Sequence, residues 1–308
     1  MADAGSQARP SAPEQVGAAA EPYAVLEVLA TGPLALVEDC GRPGLAALGV
    51  GRSGAADRQA HALGARLLGQ DPGQASIEVT LGGLAVRARG SVTAVLTGAP
   101  ADAALDGTPV GHAAPFLLRD GQVLRLGRPR AGLRTYLSVR GGIAVPPVLG
   151  SRSTDVLSGI GPPPLAPGDL LPVGRPAGEP HVDVAPVPLP GAGPLVLRAL
   201  AGPRADWIVS VEVLAVTRWT VSEHSDRVGL RLHGPALERH PSHGHEELPS
   251  EGVVRGAVQV PAGGRPVVFL SDHPVTGGYP VVAVVREADV DLAAQAVPGQ
   301  ELVFRLEG

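Results

Sequence analysis

The stretch "RPVVFLSDHPVTGGYPVVAVV", residues 265–285, decides the fold class. Two valine-rich runs, at residues 267–270 and 281–285, flank a polar segment with two adjacent glycines. Apolar runs of about four to eight residues between turn formers are typical of β-strands, and a glycine pair supplies the φ > 0 conformations of a tight return. The stretch therefore predicts two neighbouring strands. A second interpretation, a ligand loop in which glycine lets backbone approach a small molecule, remains open.

The composition extends this prediction to the whole chain. Its 308 residues are 44% hydrophobic, which is enough for a sizeable core, and they include 42 glycines and 32 prolines. So many turn formers exclude a mainly helical protein, while the regular apolar runs exclude disorder. We therefore predict an all-β chain with short helices, long enough for two domains.

Charge and residue usage exclude several functions. A net charge of −5 argues against binding to nucleic acid, which needs a concentrated basic surface. The single cysteine, the lack of a long apolar run and the lack of a signal peptide predict a cytoplasmic protein without a membrane segment. All 25 basic residues are arginine. The chain therefore lacks a Schiff-base lysine, a P-loop lysine and a lysine that carries biotin.

An internal repeat indicates duplication of a β-rich unit. "SGAADR" (53–58) matches "SEHSDR" (222–227), which predicts that Ser53 and Asp57 are equivalent to Ser222 and Asp226. We predict a disordered tail at 1–22, a first domain at 23–158, a Pro/Gly-rich bridge at 159–194 and a second domain at 195–308. The pattern "AADRQAHALGARLLG" from residue 55 predicts a helix in the first domain, with Asp57 in its first turn and Gly69 at its stop.

Two motifs are weaker than they look. "GVGRSG" (49–54) fits the dinucleotide-binding pattern, but a loop-like segment precedes it where a buried strand is required. His240, His243 and His245 lie close enough in sequence to hold zinc or nickel. Because their spacing matches no closed structural site, we expect a solvated and dispensable loop, and we predict no metal site.

Polar residues stand at the ends of valine-rich strands in both halves, where the rims of β-barrels bind small ligands. The alternative is plain turn chemistry. Several segments together resemble one family: "EDCGRPGLAALGVGRSGAADR", "YLSVRGGIAVPPVLGSRSTD", "WTVSEHSDRVGLRL", "SDHPVTGGYP" and "PGQELVFRL". The chain resembles the biotin-dependent carboxyltransferase family, whose other names refer to the C-type subunit of 5-oxoprolinase, to allophanate hydrolase subunit 2 and to KipA. The resemblance covers residues 24–308 and implies two tandem cyclophilin-like β-barrel domains.

The resemblance also implies an activity and partners. Members of the family work with a KipI-like subunit of the B type and with a further subunit of the A type. The complex of 5-oxoprolinase uses ATP to open 5-oxo-L-proline to L-glutamate. The chain alone is expected to be inactive, and ATP is expected to enter through the complex. One alternative is a carboxyltransferase that takes a carboxyl group from biotin, not bound covalently to this chain, for urea or a similar amide. Another is a KipA-like protein that antagonises a kinase inhibitor without chemistry.

The candidate site residues combine the strand-end pattern with the resemblance. Arg227 offers a bidentate fork to a substrate carboxylate, and the backbone at Gly277 and Gly278 offers donors to an amide oxygen. His273, which stands where the family often has arginine, is best placed for proton transfer beside Asp272. The predicted catalytic residues are Asp272, His273 and Tyr279. The predicted substrate-binding residues are Ser222, Asp226, Arg227, Glu251, Gln259, Thr276, Gly277, Gly278, Arg52, Ser53, Asp57 and Arg58.

A structural interpretation of the same residues also remains open. In it, Asp226 and Arg227 form an ion pair and Tyr279 only packs the corner.

Overall fold

The computed structural model describes residues 22–177, 184–187, 193–244 and 246–308. The predicted tail lies outside these ranges except for residue 22, as do His245 and parts of the predicted bridge. Strands dominate the described residues, which confirms the all-β prediction. No helix among them is long and apolar enough to cross a membrane.

The first unit is built from short, alternating apolar segments and one helix. Its elements are β1 (Ala24–Thr31), β2 (Leu34–Glu38), a 3₁₀ turn (Ala46–Leu48), α1 (Arg58–Leu67), β3 (Ser76–Thr80), β4 (Leu84–Arg89), β5 (Val92–Gly98), β6 (Ala101–Leu105), β7 (Thr108–Pro109), β8 (Phe116–Leu118), β9 (Val123–Pro129), β10 (Arg134–Val139) and β11 (Leu170–Val173).

These strands form two sheets around one core. The six-stranded sheet has the order β11-β1-β4-β9-β6-β7, and the five-stranded sheet has the order β2-β3-β10-β5-β8. Every pairing within them is antiparallel, which excludes the dinucleotide-binding interpretation of residues 49–54. Leu26, Val28, Ile77, Val79 and Leu96 are among the buried side chains between the sheets.

Helix α1 lies against the five-stranded sheet, and its existence confirms the sequence prediction. Asp57 is the N-cap rather than a residue of the first turn, and its carboxylate accepts a hydrogen bond from Ala60 N at 2.9 Å. The helix ends before Gly69, whose φ of 61° is in the left-handed region. Gly64 allows the close approach to the sheet, because a Cβ there would lie 2.5 Å from Ser138 Oγ.

The predicted bridge is partly a strand of the first unit. β11 pairs with β1 in antiparallel register, with Val173 opposite Ala24 and Leu170 opposite Glu27. Leu171 and Val173 belong to the core of the first unit. The first sheet therefore extends past the predicted boundary at residue 158.

The second unit has a separate core. Its elements are β12 (Leu195–Ala201), a 3₁₀ turn (Ala205–Trp207), α2 (Val213–Val216), β13 (Trp219–Val221), β14 (Gly229–His233), a 3₁₀ turn (Pro241–His243), β15 (Glu251–Gly252), β16 (Ala257–Gln259), β17 (Val267–Phe269), β18 (Thr276–Gly277), β19 (Val281–Val285), α3 (Glu287–Ala293) and β20 (Glu301–Glu307).

Seven of these strands close into a barrel of order β12-β19-β16-β17-β14-β13-β20. The last strand returns to the first in a parallel pairing, with Leu195 opposite Leu302. Trp219 is fully buried inside, and its Nε1 donates to the carbonyl of Leu214 at 3.1 Å. β15 and β18 form a small separate sheet of two strands.

The two units differ more than the repeat suggests. The second unit closes into a barrel through its hydrogen-bonded strands, whereas the first keeps two distinct sheets. After the matching motifs the first unit has α1 and the second has β14. As a result Asp57 caps a helix, whereas Asp226 Oδ1 closes a turn by accepting from Val228 N at 2.8 Å and Gly229 N at 3.0 Å.

The units meet along a contact that we call the seam. It consists of Glu38, residues 51–58, Glu78 and Arg134 of the first unit and of Arg227, Arg255, residues 271–273 and residues 287–295 of the second. Gln295 Oε1 accepts from Leu133 N and Arg134 N at 3.0 and 2.8 Å. Its Nε2 donates to Asp57 Oδ2 and to the carbonyl of Arg134 at 2.8 and 2.9 Å. One saturated amide thus fixes α1 relative to the second unit.

Candidate functional site

The seam brings together predicted site residues that are far apart in sequence. The apolar run of β17 ends just before Asp272, which is buried. Its Oδ1 accepts a hydrogen bond from Ser53 Oγ at 2.7 Å, and its Oδ2 accepts from Val156 N at 3.0 Å. Ser271 Oγ donates to the carbonyl of Ala55 at 3.2 Å. The loop around Ser53 in the first unit and the "SDH" segment of the second therefore form one site.

Arg227 occupies the centre of this site and is 1% exposed. Its Nε and Nη2 form a side-on fork to the two oxygens of Asp272 at 2.9 and 3.1 Å. Nη2 also donates to the carbonyl of Gly54 at 2.6 Å, and Nη1 donates to Glu78. The predicted ion pair with Asp226 is not formed, and the fork predicted for a substrate carboxylate is already occupied by Asp272.

Glu78 links the centre of the seam to the first unit. Its Oε2 accepts from Tyr136 Oη at 2.7 Å and from Ala56 N at 2.9 Å, and Tyr136 Oη accepts from Asp57 N at 2.8 Å. Burial opposes ionisation of Glu78, but the guanidinium groups of Arg227 and Arg134 hold its pKa below the usual value. Burial and the adjacent Glu78 charge raise the pKa of Tyr136, so its phenol keeps its proton.

Glu38, at the end of β2, is the least satisfied carboxyl group in the seam. Its Oε1 lies 3.2 Å from Nη2 of Arg227, yet neither oxygen has a hydrogen bond among the described residues. Burial raises its pKa well above the usual value, and the charges of Glu78 and Asp272 add to that effect. Sequence reasoning missed Glu38. A signal was present, because the acid directly follows the apolar strand sequence "LALV".

His273 is half-buried at the same seam but is not paired with Asp272, whose oxygens are taken by Arg227, Ser53 and Val156. Its Nδ1 lies 2.7 Å from the carbonyl of Pro274, and its ring stacks on Phe269 with centroids 5.9 Å apart. Since a carbonyl only accepts, Nδ1 carries the proton and Nε2 keeps its lone pair. Burial lowers the pKa of His273, and the charges of Arg255 and Arg58 lower it further, so the ring is neutral at pH 7.

Asp57 and Arg58 begin α1 at the edge of the seam. Burial raises the pKa of Asp57 to about 6, although hydrogen bonds from Gln295 and Ala60 oppose the shift. Arg58 donates from its backbone N to Asp291 Oδ1 at 3.0 Å and from Nη1 to Glu287 at 3.1 Å. Arg52 is exposed, and its Nε donates to the carbonyl of Cys40 at 3.2 Å.

The other predicted residues of the second half form a separate group that we call the rim: Glu251, Gln259, Thr276, Gly277, Gly278 and Tyr279. Glu251 and Gly252 pair with Gly277 and Thr276 in the small sheet. Glu251 forms a bidentate ion pair with Arg204 at the surface. Gln259 Nε2 donates to the carbonyl of Tyr279 at 3.0 Å, while the Tyr279 side chain is 49% exposed.

The glycine pair of the rim has a different purpose from the predicted one. Neither Gly277 nor Gly278 has a φ in the left-handed region, so the expectation of φ > 0 was wrong. The requirement at Gly277 is space, because a Cβ there would lie 2.6 Å from Gln259 Nε2. At Gly278 the nearest atom to such a Cβ is the Leu248 oxygen at 3.4 Å.

Ser222 also lies outside the seam group. It is buried, and its Oγ accepts from His224 N at 3.2 Å within its own turn. Together with the turn made by Asp226, this leaves the side chains of the "SEHSD" segment as turn chemistry. The segment reaches the first unit through the carbonyl of Asp226, which accepts from Arg134 Nη2 at 3.5 Å, and Arg227 follows it into the seam.

The histidine loop packs on an aromatic ring. His243 stacks on Trp207 with centroids 4.5 Å apart, and Arg239 lies 4.9 Å above the same ring. Nδ1 of His243 lies 3.0 Å from Glu246. Across the described residues no group of three or more His, Cys, Asp or Glu side chains is arranged to hold a metal ion; His245 lies outside those residues. Whether the loop is dispensable stays a prediction.

Comparisons with known proteins agree with this architecture. A family model described as "Carboxyltransferase domain, subdomain A and B" matches residues 48–306. A protein named as the C-type subunit of 5-oxoprolinase from Escherichia coli is 37% identical over 91% of this chain and 90% of that protein. One of the same name from Haemophilus influenzae is 33% identical over the same shares. Urea amidolyase of Saccharomyces cerevisiae is 31% identical over 92% of this chain but 17% of that protein.

Solved structures show the same relationship. The structure of TTHA0988 superposes with a TM-score of 0.83 at 35% identity and covers 93% of this chain. The Kluyveromyces lactis urea amidolyase superposes with a TM-score of 0.86 at 29% identity and covers 94%. The chain spans 57% of the length of TTHA0988 and 19% of the urea amidolyase, so both are larger proteins. The chain belongs to the carboxyltransferase-domain family that contains subdomains A and B.

Proposed function

We propose that the chain is the C-type subunit of an ATP-dependent 5-oxoprolinase and helps to convert 5-oxo-L-proline to L-glutamate. Two relatives that bear this name match about nine tenths of both chains, which supports the proposal over the whole length. The partners are a KipI-like subunit of the B type and a further subunit of the A type. The chain alone is inactive in this proposal, because the two relatives that bear this name are single subunits of a larger enzyme.

The observation that carries the position of the site is the hydrogen bond from Ser53 Oγ to Asp272 Oδ1. It joins the two segments that were predicted separately as ligand loops, one from each unit. Asp272 and Arg227 are fully buried and mutually saturated, so they act as positioning residues that hold the loops. His273 beside them is partly exposed and neutral. In this proposal its Nε2 takes a proton from the water that attacks the carbonyl carbon of the ring amide, and it returns that proton to the ring nitrogen as the carbon–nitrogen bond breaks.

The residues that the structure describes do not fit a magnesium–nucleotide site. The chain has no lysine, and its described residues offer no group of three metal-binding side chains. Three carboxyl groups of the seam, those of Glu38, Glu78 and Asp272, face Arg227, and Asp291 pairs with Arg255. We therefore place ATP on one of the partner polypeptides, and the part of this chain in the reaction is to bind and orient 5-oxo-L-proline.

A second function is supported by the urea amidolyase relatives. In that alternative the chain transfers the carboxyl group of carboxybiotin to urea or a similar amide and so regenerates biotin. Another polypeptide carries the biotin, since this chain has no lysine of its own to carry it. The two functions differ in their co-substrates, so one assay separates them.

The test is co-expression of the chain with its candidate A-type and B-type partners, followed by purification and measurement of ADP release. We expect release that depends on 5-oxo-L-proline from the complex and none from the chain alone. Full activity of the single chain would refute its assignment to a multi-component enzyme. ADP release that requires bicarbonate, urea and an added biotin-carrying carboxylase polypeptide, but not 5-oxo-L-proline, would establish the carboxyltransferase alternative instead.

A further inference from the structure

Arg255, which lies in the loop between β15 and β16, crosses the seam with unused hydrogen-bond donors. Its Nη2 donates to the carbonyl of Ala56 at 2.7 Å and to Asp291 Oδ1 at 2.7 Å. The side chain is 8% exposed, and Nε and Nη1 are buried without an acceptor among the described residues. Buried guanidinium donors without acceptors are costly, so this arrangement indicates a missing partner with acceptor oxygens.

Arg58 approaches the same point from the first unit. Its backbone N donates to the same oxygen of Asp291 that Arg255 contacts, at 3.0 Å. Its Nε is also buried without an acceptor among the described residues. The side chain is 23% exposed, so it connects this point to solvent. Asp291 thus joins the two residues, since it accepts from the guanidinium of Arg255 and from the backbone amide of Arg58, while the guanidinium of Arg58 pairs with Glu287.

Positive charge is in excess around Arg58 and Arg255. Burial lowers the pKa of Arg58 to about 10, and the positive charges of Arg255 and Arg52 contribute to the shift. Asp291 is shared, and the Glu287 side chain that pairs with Arg58 is 80% exposed, which weakens its compensation. The field of Arg58 and Arg255 reaches His273, whose pKa they also lower.

We propose that Arg255 and Arg58 form a binding site for a small oxyanion, a carboxylate or phosphate group, beside His273. Guanidinium groups pair with planar or tetrahedral oxyanions through charge-assisted hydrogen bonds, and the unused Nε and Nη1 donors are the groups that such an anion requires. An anion here would also relieve the repulsion between the two arginines. That its carrier is 5-oxo-L-proline, held by its carboxylate, rests on the function proposed above; the anion site itself does not.

The experiment uses the full chain and isothermal titration at constant ionic strength with three probes: 5-oxo-L-proline, the uncharged 5-oxo-L-prolinamide and inorganic phosphate. The variants are Arg255→Gln and Arg58→Gln. Arg58→Gln protects the test against misfolding, because it removes only a partly exposed side chain. The matched control is Arg305→Gln, which removes an exposed arginine of β20.

We expect the wild type to bind 5-oxo-L-proline at least about tenfold more tightly than the amide, because the charge-assisted hydrogen bonds are lost. Both site variants should weaken anion binding by at least about tenfold, and Arg305→Gln by less than about twofold. Binding of phosphate but not 5-oxo-L-proline, lost in the site variants, would keep the anion site and refute the proposed substrate. Unchanged binding in Arg255→Gln and Arg58→Gln, or no anion binding by the folded wild type, would overturn the anion site.

Discussion

The seam and the rim are both rich in polar residues, but the charged groups are buried in the seam and partly exposed to solvent at the rim. In the seam, Arg227 is 1% exposed and faces three buried carboxyl groups, those of Glu38, Glu78 and Asp272. At the rim, the pair of Glu251 and Arg204 is about one third exposed on both sides. Burial makes each seam contact expensive to break, whereas solvent screens the rim pair. The seam therefore fixes the geometry of the two units, and the rim is free to vary.

The largest expected effect comes from removing the cation at the centre of the seam. Arg227→Met leaves buried carboxyl groups without their partner, and we expect the free energy of unfolding to fall by about 3–5 kcal/mol. Arg305→Met, at an exposed position, should change it by less than about 0.5 kcal/mol. Urea denaturation of both variants measures the difference. A seam variant as stable as the surface control would show that the cluster does not hold the units together.

A smaller effect concerns the pH dependence of the seam. Asp57 has a pKa of about 6 in the folded protein, above its value of about 3.9 in an unfolded chain. The folded state thus binds this proton more tightly, so the stabilisation is full below about pH 4 and is lost as the pH rises through 6. We expect protonated Asp57 to contribute up to about 3 kcal/mol to the free energy of unfolding.

Asp57→Asn keeps a good N-cap residue but does not titrate. Denaturation of the wild type and this variant at a series of pH values from 4 to 7 isolates the contribution of Asp57. The free energy of unfolding of the wild type should fall relative to that of the variant across this window. Parallel curves for the two proteins would mean that Asp57 does not titrate in it.

The smallest of these effects is at the rim, where adjacent glycines provide a matched pair. In Gly277→Ala the new Cβ would displace the Gln259 amide and break its bond to the Tyr279 carbonyl. We expect a loss of about 1 kcal/mol, as for one hydrogen bond. Gly278→Ala, with 3.4 Å to its nearest neighbour, should cost less than about 0.5 kcal/mol. The midpoints of denaturant unfolding measure both losses. Equal losses in the two variants would contradict the claim that Gly277 is required because a Cβ does not fit there.

The sequence predicts the strands and the helix well because their causes are local. Valine runs indicate strands, and Asp57 and Gly69 indicate the start and the end of the helix, without any tertiary information. It also places Ser53 and Asp272 in separate ligand loops, but not in contact, because a pairing across more than 200 residues leaves no local pattern. For the same reason the sequence assigns the Arg227 guanidinium to a substrate carboxylate, whereas in the structure it binds Asp272. Nothing in the local sequence distinguishes Glu78, inside a strand pattern, or Arg255, in a loop. Their importance comes from contacts with the other unit, which local patterns do not predict.

The most direct test of the seam as the functional site is the rate of 5-oxo-L-proline-dependent ADP release by the purified complex, with one variant from each region. His273→Gln removes the titrating imidazole of the seam, and Tyr279→Phe removes the half-exposed hydroxyl of the rim. We predict that His273→Gln lowers kcat by at least about tenfold, as for loss of a proton-transferring group, while Tyr279→Phe stays within about twofold of the wild type. A wild-type rate for His273→Gln together with a large loss for Tyr279→Phe would contradict this assignment and move the site to the rim.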